Sequence, residues 1–246
     1  MNIENKNKVR IQKALSEQGY CSRRKAEEFI REGRVFINGK LAKLGDLVDK
    51  ESDVLKVSGE EVLFKATKFK YYMFNKPLDC LVSKRSQGGV PTIFSINSVK
   101  KLGSDIKTVG RLDKQTQGLL LLANDGDFVH RLMHPSFAHT RIYHVVSKGK
   151  MSRKLIKQVN TEGVKLTDGM VKCRISFLGK EKNNSYCYNI EISQGRNRIV
   201  RRIFAALGCS VDVLIRVSFS GLRLPKNLKA GECRPLSPSD MKILGF

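Results

Sequence analysis

Gly110-Arg111-Leu112-Asp113-Lys114-Gln115-Thr116-Gln117-Gly118-Leu119-Leu120-Leu121-Leu122-Ala123-Asn124-Asp125-Gly126 is the stretch around which the rest of the chain is arranged. Gly118 ends a polar loop. Leu119 to Ala123 is an unbroken apolar run, too short to span a membrane and the right length for a buried strand. Asn124-Asp125-Gly126 breaks it with residues that tolerate positive φ, the chemistry of a turn. An arginine and an aspartate, two positions apart, thus fall on a loop held against a buried strand. Rigid sheets present reactive side chains in this manner. An R-x-D pair alone is more often two solvated loop residues, so Arg111 and Asp113 take their meaning from the rest of the chain.

A chain of 246 residues can bury one good core and add a small second domain. Lys and Arg number 46 against 23 Asp and Glu, a formal net charge of +23. Such an excess implies a polyanionic partner, either nucleic acid or an anionic membrane surface. No run of about 18 apolar residues occurs, and no basic-then-apolar leader opens the sequence. Nucleic acid is therefore the expected partner, with no membrane and a cytoplasmic location. The six cysteines are scattered without a C-x-x-C pair and read as buried free thiols in a reducing compartment. Residues 1–65 hold 14 basic and 11 acidic side chains, a net of +3, which leaves +20 on the remainder. The larger part must therefore meet the polyanion itself. So large a like charge disfavours self-association, and a monomer is expected.

Along the N-terminal part, Met1 to Lys8 is polar and expected to fray. Ile11, Ala14 and Leu15 have helical spacing, closed by Gly19. Ser22 is a candidate N-cap for a second helix with Ala26, Phe29 and Ile30 on its inner stripe and Gly33 at its end. Val35 and Ile37 alternate as a strand, and Asn38-Gly39 is a strong hairpin turn. Arg23, Arg24 and Lys25 fall in the first turn of the second helix, where each cation costs a few tenths of a kcal/mol, roughly, against the helix dipole. A helix N-terminus favours anions, so three cations there read as a phosphate site, with a solvated basic face as the alternative. Gly59 to Lys68 mixes charges and reads as linker or edge strand. The expected division is 1–60, a linker at 61–68, and 69–246.

Tyr71 to Phe74 is strand-like and Asn75-Lys76-Pro77 stops it. Ser83 to Pro91 is a glycine-rich basic loop, expected to be mobile until a partner binds. Asp127 to Met133 reads as a short helix closed before Pro135. Its His130 and His134 are four apart, but an H-E-x-x-H zinc site needs a glutamate where Arg131 stands, so no metal is expected. Arg141 to Val145 begins another strand. Met151 to Val159 reads as a helix, and Val171 to Phe177 and Cys187 to Ile192 as strands around a polar turn at 181–185. Gln194-Gly195 is a turn, and Asn197 can cap a helix running to Leu207 and closed by Gly208, with Ile199, Ile203 and Leu207 inward. Arg196, Arg198, Arg201 and Arg202 cluster here; a merely solvated face would be served as well by Lys and Glu. Val211, Val213, Ile215 and Val217 alternate with period two, a clear strand. There is no internal repeat, no P-loop and no G-x-G-x-x-G, so no nucleotide cofactor is expected.

The Gly110–Gly126 string closely resembles the signature loop of pseudouridine synthases, in the branch that modifies ribosomal RNA (the RsuA family). The resemblance covers nearly the whole chain. Ser22-Arg23-Arg24-Lys25-Ala26-Glu27 and Gly33-Arg34-Val35-Phe36-Ile37-Asn38-Gly39 resemble an S4 domain, which implies RNA binding by shape and phosphates rather than a base code. Asn75-Lys76-Pro77 resembles a family motif commonly followed by a nearby glycine; here Leu78-Asp79 follow. Asp127 to Pro135 resembles the helix after the signature loop. Arg141-Ile142-Tyr143 resembles a strand on which lysine is commoner than arginine at the first position. Gly195-Arg196-Asn197-Arg198-Ile199-Val200-Arg201-Arg202 resembles the family's Gly-Arg-x-x-Gln-x-Arg-Arg, with Ile199 in place of glutamine. The implied fold is α+β: a small S4-like domain, then a synthase domain on a mixed, mainly antiparallel sheet with flanking helices.

The resemblance implies isomerisation of uridine to pseudouridine in ribosomal RNA without metal or organic cofactor. Asp113 is then the catalytic aspartate, Tyr143 stacks on the target base, and Arg201 pairs with Asp113. The chemistry needs an ionised carboxylate acting as nucleophile or base. The target must leave its stack, and the flat guanidinium of Arg111 can fill the gap. Ser22, Arg23, Arg24, Lys25, Arg196, Arg198 and Arg202 are the expected further RNA contacts. His130-Arg131-Leu132-Met133-His134-Pro135 looks more like the large-subunit members than the small-subunit one. A small-subunit target, a non-catalytic assembly factor using its S4 domain, and a glycosylase releasing free uracil are the alternatives.

Overall fold

The computed structural model describes residues 8–65, 68–181 and 183–246. Expectations that fall on 1–7, 66, 67 and 182 lie outside the described residues. The chain divides into two compact units, Met1–Phe69 and Lys70–Phe246.

In the first unit the elements are β1 (Lys8–Arg10), α1 (Ile11–Glu17), α2 (Arg23–Arg31), β2 (Val35–Ile37), β3 (Lys40–Leu41), β4 (Leu47–Asp49), β5 (Leu55–Val57) and β6 (Glu60–Glu61). Four strands form one sheet in the order β3-β2-β5-β6, and β1 pairs with β4. Ile11, Leu15, Ala26, Ile30, Val35 and Leu55 are buried in one core. The helices lie where the apolar spacing puts them. Ser22 caps α2, its hydroxyl accepting from the Lys25 N–H at 3.2 Å. Asn38 and Gly39 have φ of +49° and +78°, the paired left-handed residues of a tight hairpin. Glu60–Glu61 is an edge strand and Val62 is buried in the same core, so the ordered unit continues into the stretch that reads as linker.

The second unit contains β7 (Tyr71–Lys76), α3 (Asn97–Lys100), β8 (Lys107–Thr108), β9 (Gln117–Ala123), α4 (Gly126–Met133), β10 (Arg141–Lys148), α5 (Arg153–Glu162), β11 (Val164–Leu166), β12 (Gly169–Val171), β13 (Cys173–Lys180), β14 (Ser185–Ile192), α6 (Ile199–Ala206), β15 (Ser210–Phe219), β16 (Leu222–Arg223), β17 (Cys233–Pro235) and α7 (Pro238–Ile243). Its main sheet runs β13-β14-β10-β15-β9-β7-β17, with β8 added to β9 and β16 to β15. The β9–β15 pairing is parallel and the others are antiparallel. β9 is an interior strand, and the reason for its unbroken apolar run is that both faces are covered. Leu120 and Leu122 enter one core with Phe74, Val145 and Phe204, while Leu119, Leu121 and Ala123 enter another with Met73 and Phe128.

Three local readings are corrected. None of Asn124, Asp125 and Gly126 has positive φ. Asp125 instead caps α4, its Oδ1 accepting from the N–H groups of Asp127 (2.8 Å) and Phe128 (3.2 Å). The N-cap of α6 is Arg198, not Asn197; Arg198 has φ +45° and no side-chain cap bond, and this turn starts the helix with Ile199 and Val200 buried. On β15 the buried residues are Leu214, Arg216, Ser218 and Phe219, whereas Val213 is exposed and Val211, Ile215 and Val217 are half-buried. The apolar alternation therefore marks the less covered face. All six cysteines are free thiols, with Cys80, Cys187 and Cys209 buried.

Candidate active site

The loop from Asp113 to Thr116 has every backbone carbonyl engaged. Asp113 O accepts from the Thr116 N–H at 3.0 Å. Lys114 O accepts from the Asp79 N–H at 3.0 Å and the Lys76 ammonium at 3.4 Å. Gln115 O accepts from Arg201 Nη2 at 2.8 Å. Thr116 O accepts from Lys76 Nζ at 3.0 Å. Lys76 is fully buried, and its third bond goes to Pro77 O at 2.8 Å. Burial pulls this ammonium down from the ordinary lysine value, while Cys80, Asp113 and Asp79 act in the opposite sense. Asp79 takes φ +56°, a conformation that a glycine accepts without strain. The loop is thus held by its backbone, which leaves the Asp113 side chain without a hydrogen bond or ion pair among the described residues.

Gly118 closes the loop against the sheet. Its φ is +106°, and a Cβ there would lie 2.3 Å from the carbonyl oxygen of Arg216. The parallel pairing aligns Arg216 with Gly118, so only a residue without a side chain lets β15 approach β9 at this point.

Asp113, Arg111, Tyr143, Arg196 and Arg198 line one cavity of about 990 Å³, joined by Arg141 and Arg216. Tyr143 is 8% exposed on β10. Arg111 and Arg198 are exposed, and their side chains make no hydrogen bond or ion pair among the described residues. Arg141 Nη1 donates to His139 O and Ser193 O, both at 2.9 Å. Burial pulls its guanidinium below the usual arginine value.

The remaining expected site residues are engaged elsewhere. Arg201 and Arg202 are not among the lining residues. Arg201 grips the loop rather than the Asp113 carboxylate: Nη1 donates to Val211 O at 2.8 Å and Nη2 to Gln115 O. Burial and then Arg198 lower its guanidinium from the usual value, and the nearby Asp113 charge opposes them. Arg202 donates to both carboxylate oxygens of Asp168, and Arg196 donates to Asp168 O at 2.9 Å. The Arg202 bonds first, and then the Arg196 charge 3.4 Å from the carboxylate, hold the Asp168 carboxyl at about 2. In the first unit the Ser22 hydroxyl is occupied by its cap bond, and Lys25 pairs with Glu28 at 2.8 Å. Arg23 and Arg24 are exposed on the first turn of α2.

Sequence reasoning missed Lys76, Asp168 and Arg216. The Asn-Lys-Pro triplet signalled the first, as the end of a strand and as a family motif, but assigned Lys76 no role in the site. Asp168 carried no local pattern. Arg216 sat between apolar positions, where a charged residue reads as solvent-facing, yet it is 3% exposed.

Comparison with known proteins gives a consistent picture. A family model described as RNA pseudouridylate synthase matches residues 70–206, and one described as S4 domain matches residues 9–55. A ribosomal large subunit pseudouridine synthase B of Yersinia pestis is 39% identical over 227 residues, covering 90% of this chain and 70% of that protein. Its namesake in Bacillus subtilis is 36% identical over 239 residues, covering 96% and 95%. Among solved structures, a pseudouridylate synthase crystal structure superposes with a TM-score of 0.65 at 29% identity, covering 96% of this chain and 99% of the other.

Proposed function

The chain belongs to the RNA pseudouridylate synthase family, and from that premise we propose that it isomerises a uridine of large-subunit ribosomal RNA to pseudouridine. The observation that carries the reading is the unpaired Asp113 carboxylate, presented by a loop with all four carbonyls held, in one cavity with Tyr143. The isomerisation breaks the bond from N1 of uracil to C1′ of ribose, rotates the base and joins its C5 to C1′. Asp113 is the attacking carboxylate. Tyr143 stacks on the flipped base and assists removal of the C5 proton. Arg201 fixes the loop through Gln115 O and adds its charge beside the carboxylate. Arg111 stands free to enter the gap in the RNA stack. Arg198 meets phosphates at the cavity mouth, and Ser22, Arg23, Arg24 and Lys25 mark the RNA-facing end of α2. Arg196 and Arg202 act through Asp168, shaping the turn before α6 as well as its charge. The reading calls on no cofactor and takes the protein as a monomer in the cytoplasm. Its large-subunit target is supported by the names of the relatives above.

The test uses large- and small-subunit RNA carrying tritium at uracil C5, naked and assembled. Release from large-subunit RNA without free uracil is the expected result. Release confined to small-subunit RNA would move the target. Free uracil would make the enzyme a glycosylase, and tight binding without release from any of the four substrates would make the protein a binding factor.

A further inference from the structure

Arg216 is unlike the other arginines of the cavity. Its cross-strand partner on β10 is Tyr143, and its parallel partner on β9 is Gly118, just after the Asp113 loop. Directly opposed residues of an antiparallel pair share a face, and Arg216 and Tyr143 both line the cavity. Nε of Arg216 donates to Leu119 O at 2.7 Å, and the guanidinium lies 5.4 Å from the centroid of Phe219. Arg141 approaches the same ring at 5.3 Å. These contacts fix the guanidinium but use one of its five donors. Among the described residues no carboxylate pairs with Arg216, and its two Nη groups make no hydrogen bond. Arg216 is 3% exposed and lines the cavity, so an occupant of that cavity can supply the acceptors its Nη groups lack. Two buried atoms of lining residues, Thr116 Oγ1 and Gln194 Oε1, lack hydrogen-bond partners. The cavity floor is therefore built for a polar guest.

Depth selects which part of an RNA reaches it. A flipped base enters furthest, while its phosphates stay at the mouth, near the exposed Arg111 and Arg198. Uracil offers two carbonyl oxygens as acceptors. We propose that Arg216 is a further catalytic residue, donating through its free Nη groups to a carbonyl oxygen of the flipped uracil and holding the negative charge that gathers there during the exchange of bonds. The inference rests on the uridine-isomerising reading above. In that reaction the N1–C1′ bond breaks, the C5–C1′ bond forms, C5 loses a proton and N1 gains one. Whether Asp113 attacks the ribose or C6 of the ring, an electron pair passes into the ring and onto its carbonyl oxygens. A donor fixed in a dry site before the reaction stabilises that charge without reorganising. A guanidinium can only donate, so a contact at O4 would also turn away cytosine, whose C4 carries an amino group.

The experiment couples the side chain to the oxygen. Full-length wild type and Arg216→Met are assayed in single turnover, by tritium release, on RNA with uridine, 2-thiouridine or 4-thiouridine at the target. Arg216→Met is expected to slow uridine turnover about 100-fold, with RNA affinity within about threefold. One thio substitution is expected to slow wild type about 10-fold and the variant hardly at all, the non-additivity of two partners in one bond. Equal thio effects in both proteins, or a variant as fast as wild type, would overturn the proposal. Should Arg216→Met not fold, Arg216→Lys, which loses the fork but keeps the charge, takes its place with the same two outcomes. No release by wild type from the uridine RNA would instead refute the isomerase reading on which the inference rests.

Discussion

Lys76 places its ammonium beneath the Asp113–Thr116 loop, and its three acceptors are all backbone carbonyls. Replacing it with methionine keeps the bulk and orphans Thr116 O. Lys76→Met should lower stability by about 1–3 kcal/mol, the cost of an unsatisfied buried acceptor. It should also slow single-turnover tritium release about 10-fold or more while RNA affinity holds, because the loop loosens and not the binding surface. Calorimetry and single-turnover kinetics check the two halves. At this scale the sequence was legible wherever residues form strings. Arg111, Asp113 and Tyr143 were found by their neighbours, and the structure brings them to one cavity. It was illegible wherever a role depends on a partner far along the chain. Lys76 acts on carbonyls about 40 positions away, and Arg202 on an aspartate 34 positions away. Arg201 was expected to pair with the Asp113 carboxylate; its grip on Gln115 O instead depends on where α6 and β15 come to rest.

Among the elements, β9 is the most constrained. Gly118→Ala would drive a methyl group into Arg216 O and force φ +106° on an L-residue. A loss of about 2–4 kcal/mol is expected from strain and overpacking together, seen as a lower midpoint in chemical denaturation. The β11–β12 hairpin and α6 are joined by Asp168, whose carboxyl is held at about 2 by Arg202 and Arg196. A carboxyl depressed in the folded state stabilises above its unfolded value, near 3.8, and that support drains as pH falls toward 2. Asp168→Asn should therefore remove a small stabilisation at neutral pH and flatten the acid limb between about pH 4 and pH 2 by the same amount, modest for so exposed a group. Circular dichroism across that range reads it out. Periodicity located α1, α2, β9, β10 and α6, since each buries a stripe or a whole run. It failed at the starts of α4 and α6 and at β15. Asp125 caps a helix through hydrogen bonds that composition does not distinguish from a turn, and β15 buries a face that includes an arginine.

Over the whole molecule, charge and function follow the same division. The first 65 residues carry +3 and the rest +20, so affinity for RNA should rest mainly on the second unit and fall steeply with salt. Arg198→Ala should weaken binding almost uniformly across RNA sequences and reduce the slope of log K against log salt by about one; filter binding at several salt concentrations measures it. The two-part organisation was legible because each part carries its own motifs and its own core, and the boundary was less so because the edge strand Glu60–Glu61 is polar. We propose that the Asp113 carboxylate, held ready by its loop backbone, performs an isomerisation and not a hydrolysis. The measurement that tests it most directly is single-turnover tritium release from C5-labelled ribosomal RNA by wild type and Asp113→Ala, with free uracil assayed in the same samples. Release by wild type, a fall of about a thousandfold or more in Asp113→Ala at unchanged RNA affinity, and no free uracil are the predicted results. Undiminished release by Asp113→Ala, or uracil set free in proportion to the tritium, would contradict the account.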